Sequence, residues 1–239
     1  MSEIKILHLF SRLLSLYGEY GNIAILEKIL TDNGHSVTVD RMETLPDDLS
    51  GYNLVYTGAG TEGDIIAAAQ KTGDCQIACN YIAKGGLWLA TGNSMALLGE
   101  KIEYNGAVVD GLGVLDFTTA MSREKRWLGD VLTTAENPFD AQVIGYVNTS
   151  SVYEGTHYPL FELSLGNNLG NDKEGATDGI FKDGIITTQL TGPLLVKNPA
   201  VLGFLYEKLT GEVLELDEGD PIKLAYNNAL AQLSKRITE

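Results

Sequence analysis

The chain has 239 residues, enough for one large α/β domain with a full core, and 44% of them are hydrophobic, as in an ordinary globular protein. Its formal net charge of −15 argues against a nucleic-acid partner, which needs stripes of Lys and Arg. No apolar run reaches the length of a membrane span, and Ile4 to Phe10 is too short and too interrupted by Lys5 and His8 for a signal peptide. A cytoplasmic location is the expectation.

Ile4 to Phe10 reads as the first, central strand, followed by the glycine-punctuated loop Leu16 to Asn22. Ile25, Leu26, Ile29 and Leu30 then mark the apolar stripe of a helix over Ile23 to Asn33, stopped at Asn33-Gly34. His35 to Val39 alternates as strand two, and Tyr52 to Thr57 forms strand three, ending in Gly58-Ala59-Gly60. Helices are predicted over Asp64 to Lys71 and Cys75 to Ala83, the second capped by Asp74. Strand, glycine loop and helix in repetition predict a mostly parallel central sheet flanked by helices.

Leu87 to Ala90 has the composition of a buried parallel strand. Thr91-Gly92-Asn93-Ser94 is a sharp turn, after which Met95, Leu97 and Leu98 open a helical pattern. Such a strand-to-helix elbow is where hydrolases and amidotransferases lift a nucleophile above the sheet edge. Here the tip is Gly92, which has no side chain to react.

Beyond Gly99 the pattern changes to hairpins: Lys101 to Tyr104 with Ala107 to Val109 across Asn105-Gly106, then strands at Trp127 to Thr134, Ala141 to Val147 and around Phe161. Asn167 to Gly175 reads as a surface loop, and Asp178 to Lys182 with Ile185 to Leu190 as a hairpin turning at Asp183-Gly184. Helices from about Pro199 to Leu209 and Pro221 to Ile237 close the chain. With no repeat or linker, residues 1–239 are expected to form a single domain.

These motifs together resemble the triad-type (class I) glutamine amidotransferases, in the CobB/CobQ-like branch and most nearly the GatD type found in lipid II isoglutaminyl synthases. The family's Leu-Tyr-Gly-Asp-x-Gly-Asn appears as Leu16-Tyr17-Gly18-Glu19-Tyr20-Gly21-Asn22, and its Gly-Gly-Gly-Gln-Asp oxyanion loop as Gly58-Ala59-Gly60-Thr61-Glu62. Its Gly-Leu-Gly-x-Leu-Asp-x-x-Thr with a later Lys-Arg pair matches Gly111 to Thr119 and Lys125-Arg126. Gly166-Asn167-Asn168 and Gly192 to Pro199 match two further motifs. The resemblance implies a flavodoxin-like layered α/β fold. It also implies an oxyanion pocket at Gly58, Ala59, Gly60 and Asn93, a possible ligand contact at Arg126, and a Mur-ligase-like partner of the MurT type that consumes ammonia. It calls for no cofactor and no metal.

The departures bear on activity. The family elbow Cys-Gly-Gly-Tyr-Gln-x-Leu-Gly is here Gly92-Asn93-Ser94-Met95-Ala96-Leu97-Leu98-Gly99. The nucleophilic cysteine has become Gly92, and the histidine before Gly-Pro-Leu-Leu has become Thr191. A family Glu-Asn-His element has become Val147-Asn148-Thr149. Thioester chemistry needs a thiolate and a base that protonates departing ammonia, and neither Gly92 nor Thr191 supplies one. No residue stands out as a replacement: Ser94 reads as a cap, His8 as a satisfied core residue, His35 as exposed, His157 as a loop residue, and Cys75 and Cys79 as small core residues. Three readings remain open: a catalytically silent binding or regulatory subunit that takes glutamine or a related small molecule, an active amidotransferase subunit feeding a cell-wall ligase, or a different transferase reusing the pocket.

Overall fold

The computed structural model describes residues 1–237. β1 (Glu3–Leu9), α1 (Tyr20–Asp32), β2 (Ser36–Met42), β3 (Leu54–Thr57), α2 (Glu62–Ala69), α3 (Cys75–Ala83) and β4 (Leu87–Thr91) form the strand–helix half. Nine short strands follow: β5 (Lys101–Tyr104), β6 (Ala107–Asp110), β7 (Thr118–Met121), β8 (Trp127–Thr133), β9 (Ile144–Thr149), β10 (Ser151–Glu154), β11 (Phe161–Leu165), β12 (Thr177–Asp178) and β13 (Ile180–Lys182). β14 (Ile185–Thr188), α4 (Leu194–Lys197), α5 (Pro199–Thr210) and α6 (Pro221–Lys235) complete the described chain.

The main sheet runs β13-β14-β4-β3-β1-β2, with β14, β4, β3, β1 and β2 parallel and only the edge strand β13 antiparallel. β1 is therefore next to the edge strand β2 and not central, because the crossover through α1 places β2 outside it. Both faces are covered, so each strand alternates between two apolar layers. Ile4, Ile6, Leu54, Leu89 and Ile186 meet Ile23, Leu26, Leu202 and Leu205 of α1 and α5. Leu7, Val55, Trp88 and Ile185 belong to the other layer, with Ile65 and Ala68 of α2 and Ala78 of α3. Two four-stranded sheets, β10-β7-β5-β6 and β12-β11-β8-β9, stand beside the main one.

Several expectations are corrected in detail. After β4 the chain enters a 3₁₀ helix, Gly92–Leu98, and not an α-helix. β7 and β10 pair with each other in stretches without a clear alternating pattern. The segment Asn167 to Gly175 is only partly on the surface, since Leu169, Gly170 and Asn171 are buried. Lys173 turns inward there: its ammonium donates to the carbonyls of Leu169 and Gly170 and to Gln189 Oε1. Burial lowers its pKa to about 8. Cys75 is exposed and Cys79 half-buried, so neither is a core residue; they lie along α3, whose first turn is capped by Asp74. Among the described residues no helix is long and apolar enough to cross a membrane.

Candidate functional site

Gly92 directly follows β4, at the carboxyl edge of the parallel strands, the edge at which open α/β sheets place their ligands. Its backbone is left-handed, φ +65°. Glycine takes that conformation without the steric penalty that a Cβ brings. Its N–H donates to Leu190 O (3.0 Å), tying the elbow to the segment that carries Thr191.

Thr191 and Gly92 are brought together. A Cβ built on Gly92 would lie 3.6 Å from Thr191 Cβ. It would also lie 2.6 Å from the Ala59 methyl, a separation that real Cβ atoms do not adopt. The space into which a residue at 92 would project is thus taken by Ala59. The residues around the two positions are buried: Ala59 is 2% exposed, Thr191 4% and Asn93 7%. The side chains of the loop and the elbow pack against each other.

The loop Gly58 to Glu62, which the resemblance implies is an oxyanion loop, is likewise engaged. Asn93 Oδ1 accepts from Gly60 N–H (3.0 Å), and Asn93 Nδ2 donates to Gly60 O (2.7 Å). An N–H of the loop after the third strand is one of the two donors an elbow hydrolase offers a tetrahedral oxyanion. Here Gly60 N–H already has a partner. The sequence reads Ser94 as a cap, but it is no cap acceptor; its single hydroxyl proton is shared between Thr57 O (3.0 Å) and Thr91 O (2.9 Å), at the ends of β3 and β4.

Beneath these residues lies Glu19, fully buried. Oε1 accepts from Thr191 Oγ1 and Gly192 N–H, each at 2.7 Å. Oε2 accepts from Tyr56 Oη (2.7 Å), Asn22 Nδ2 (3.2 Å) and Thr91 Oγ1. Five donors on one carboxylate compensate its burial. Gly58 makes room: a Cβ there would sit 2.6 Å from Leu14 O and 2.8 Å from Glu19 Cβ. Burial and the neighbouring Glu19 push the Tyr56 phenol well above its usual range. Lys197 also faces this charge; burial lowers its pKa while Glu19 and Asp130 oppose the shift.

Arg126 stands at the rim, paired with Glu62 at the start of α2 and donating to Asn148 Oδ1 (2.9 Å). Asn148 Nδ2 donates to Tyr17 Oη (2.9 Å), and Ser150 Oγ to Glu62 Oε1 (2.9 Å). Four separate segments are thereby joined above the elbow.

The remaining candidates lie elsewhere. His157 is exposed on its loop. His35 is not exposed but 5% accessible, accepting from Ser2 N–H at Nδ1 (3.2 Å) and sharing a hydrogen bond with Tyr206 Oη (3.1 Å). His8 is buried but not satisfied, since neither ring nitrogen has a hydrogen-bond partner among the described residues. No group of three or more His, Cys, Asp or Glu among the described residues is placed to hold a metal ion.

Sequence reasoning missed the hub role of Glu19 and the plug formed by Ala59. Both signals were visible as departures inside matched motifs, Glu for Asp at 19 and Ala for Gly at 59. One methylene and one methyl look neutral in a sequence; only the distances across the elbow give them weight.

A five-stranded parallel core with an elbow at its carboxyl edge, facing a glycine loop, defines the class I glutamine amidotransferase fold. Two solved structures share it: a chain of PurLQS from Thermotoga maritima (TM-score 0.50, 14% identity, 96% of this chain and 99% of that one), and a glutamine amidotransferase crystal structure (TM-score 0.55, 14% identity, 86% and 99%). Within that class the chain belongs to the CobB/CobQ-like glutamine amidotransferase domain family, whose profile matches residues 5–198. Similar curated proteins are two GatD subunits of glutamine-hydrolysing lipid II isoglutaminyl synthase. That of Streptococcus pneumoniae is 29% identical over 96% of this chain and 88% of its own length. That of Staphylococcus aureus is 27% identical over 87% and 85%.

Proposed function

We propose that this chain is a non-hydrolysing, GatD-like amidotransferase subunit that works by binding or regulation. The observation that carries the reading is the contact of Ala59 with the position of the missing side chain, 2.6 Å from a Cβ at 92. The resemblance puts a nucleophilic cysteine at 92 and its histidine base at 191. Gly92 offers no thiol, Thr191 gives its hydroxyl proton to Glu19, and Gly60 N–H is engaged by Asn93. Nucleophile, base and an oxyanion donor are therefore all unavailable to glutamine. Amide hydrolysis by backbone donors alone leaves only residual rate.

The names of the similar proteins favour a second reading, since both are subunits of a glutamine-hydrolysing synthase. On that reading the chain would supply ammonia for amidation of a cell-wall precursor. Either reading places it as one amidotransferase-like domain in the cytoplasm, beside a MurT-like Mur-ligase-family protein in peptidoglycan synthesis. A coupled assay of glutamate and ammonia release, with the chain alone and with the co-purified ligase, separates the two. The proposal expects background rates in both samples; hydrolysis abolished by removing this chain from the complex would establish the second reading instead.

A further inference from the structure

Two strands away from the elbow, beyond β3 at the same carboxyl edge, a cavity of about 440 Å³ is lined by His8, Ser11, Arg12, Tyr20, Arg41 and Glu43. We infer that this crevice is a binding site for a small phosphoryl group, either free phosphate or the phosphate of a small monoester. His8 and Arg41 are register partners on β1 and β2, so their side chains share one face of the sheet. Arg12 lies just past β1, and Tyr20 opens α1.

The floor is His8, 1% exposed, with both ring nitrogens unpartnered and its ring tilted against Tyr56 at 5.1 Å. An unpaired polar group so deeply buried is uncommon unless something else satisfies it. At the rim Arg12 and Arg41 are exposed, and neither guanidinium has an ion-pair partner among the described residues. In a chain of net charge −15, two free arginines flanking one crevice are a local reversal of sign. Planar guanidinium forks suit phosphoryl oxygens.

Glu43 narrows the choice of anion. Its Oε1 accepts from Ser11 Oγ (3.1 Å) and Arg12 N–H (2.8 Å), leaving Oε2 unbonded among the described residues. A carboxylate inside an anion site repels a ligand that has no proton to give. A phosphate, whose second pKa is about 6, can donate one oxygen-bound proton to Oε2. Sulfate has the same shape and no such proton near neutrality. Burial, with Arg41 acting in the same direction and Glu43 opposing, holds the His8 pKa at about 4. The ring is thus neutral at the floor, able to give one hydrogen bond from its N–H. Arg12 from the loop after β1, Arg41 from β2, Glu43 from the loop after β2, Tyr20 from α1 and Tyr56 from β3 are the charged and titratable groups that surround it.

The test is calorimetric titration of the whole chain at constant ionic strength with inorganic phosphate, glycerol phosphate, sulfate and acetate, while the His8 ring is followed by NMR. Saturable binding of either phosphate compound, with Kd on the order of 1 mM, and a His8 shift are expected. The double variant Arg12→Ala, Arg41→Ala should bind about tenfold or more weakly, and sulfate and acetate should be similarly weak toward the unmodified protein. Both arginines are exposed, so circular dichroism and the thermal midpoint of the variant check that its fold is kept. Tighter binding of glycerol phosphate than of inorganic phosphate identifies the monoester as the source, and the reverse order identifies the free ion. No saturation by either, sulfate or acetate binding as well as phosphate, or binding that survives loss of both arginines overturns the assignment.

Discussion

Two sites at the same sheet edge are built on opposite terms. At the elbow every polar group described above has a partner: Glu19 takes five hydrogen bonds, Asn93 clasps Gly60, and Ser94 holds two carbonyls. At the β1–β2 crevice His8 has none among the described residues, and there the guanidinium groups of Arg12 and Arg41 have no ion-pair partner. The rings of His8 and Tyr56 touch, while the Tyr56 hydroxyl belongs to the Glu19 cluster, so the two regions share one residue. On the function proposed above, the contrast separates a site whose polar groups are all engaged from one whose polar groups are open. A site can keep its place in the fold while its interior packs into ordinary core, and unsatisfied buried polar groups then mark where a ligand still fits.

The largest expected effect concerns rebuilding the elbow. Relative to an intact nucleophile–base pair, the unmodified chain should be slower by more than about 10⁴-fold in glutamine hydrolysis. Gly92→Cys with Thr191→His should not recover it, because the new Cβ meets Ala59 at 2.6 Å and the backbone holds φ at +65°. Strain and overpacking should cost Gly92→Cys about 3 kcal/mol in denaturant unfolding. Adding Ala59→Gly should return part of that loss. If Gly92→Cys costs as much in the Ala59→Gly background as it does with Ala59 in place, Ala59 is not the obstacle.

Glu19→Gln tests whether the buried carboxylate is what holds the elbow shut. One amide nitrogen would then face groups that now donate to an oxygen. Loss of about 3 kcal/mol is expected in urea melts, the order associated with charged hydrogen bonds left unmade inside a protein. A loss below about 1 kcal/mol would mean that the cluster tolerates rearrangement and is less saturated than its five contacts imply.

The parallel half of the fold was legible because its signals are local. Gly58-Ala59-Gly60 and Gly85-Gly86 punctuate apolar runs, and the helix Cys75 to Ala83 was bounded by Asp74 and two glycines. Beyond Gly99 the strands are short, and Thr118–Met121 and Ser151–Glu154 pair only with partners distant in sequence, so no periodicity announces them. Gly92 and Thr191 were legible as positions through flanking motifs. The consequences of Ala59, Asn93 and Glu19 were not, since they depend on contacts between segments as far apart as residues 19 and 191. His8 was misjudged for a related reason: a histidine in an apolar strand implies burial, but says nothing of whether its nitrogens find partners.

The crevice carries its own pH dependence. His8 titrates near 4 in the folded protein against 6.5 in the unfolded chain. Because the unfolded form binds its proton first, this contribution is fully present above pH 6.5 and is lost as pH falls through that window towards 4. The shift corresponds to about 3 kcal/mol at full extent. The difference in unfolding free energy between the protein and His8→Leu should therefore change by roughly that amount across the window. A constant difference would mean that the buried ring protonates freely, and that the crevice floor is wetter than its exposure indicates.

The smallest effect is expected at the rim of the elbow, where Arg126 joins Glu62 and Asn148. Its side chain is 42% exposed, so the pair works against water and salt. Arg126→Ala should change unfolding free energy by no more than about 1 kcal/mol, and the change should shrink as salt is raised. The same variant sharpens the comparison of the two sites. Glu62 already occupies the Arg126 guanidinium, unlike Arg12 and Arg41, so phosphate affinity should be untouched by its removal. If Arg126→Ala weakens phosphate binding as much as Arg41→Ala does, the anion is being drawn by the general field of exposed arginines and not by the crevice that His8 floors.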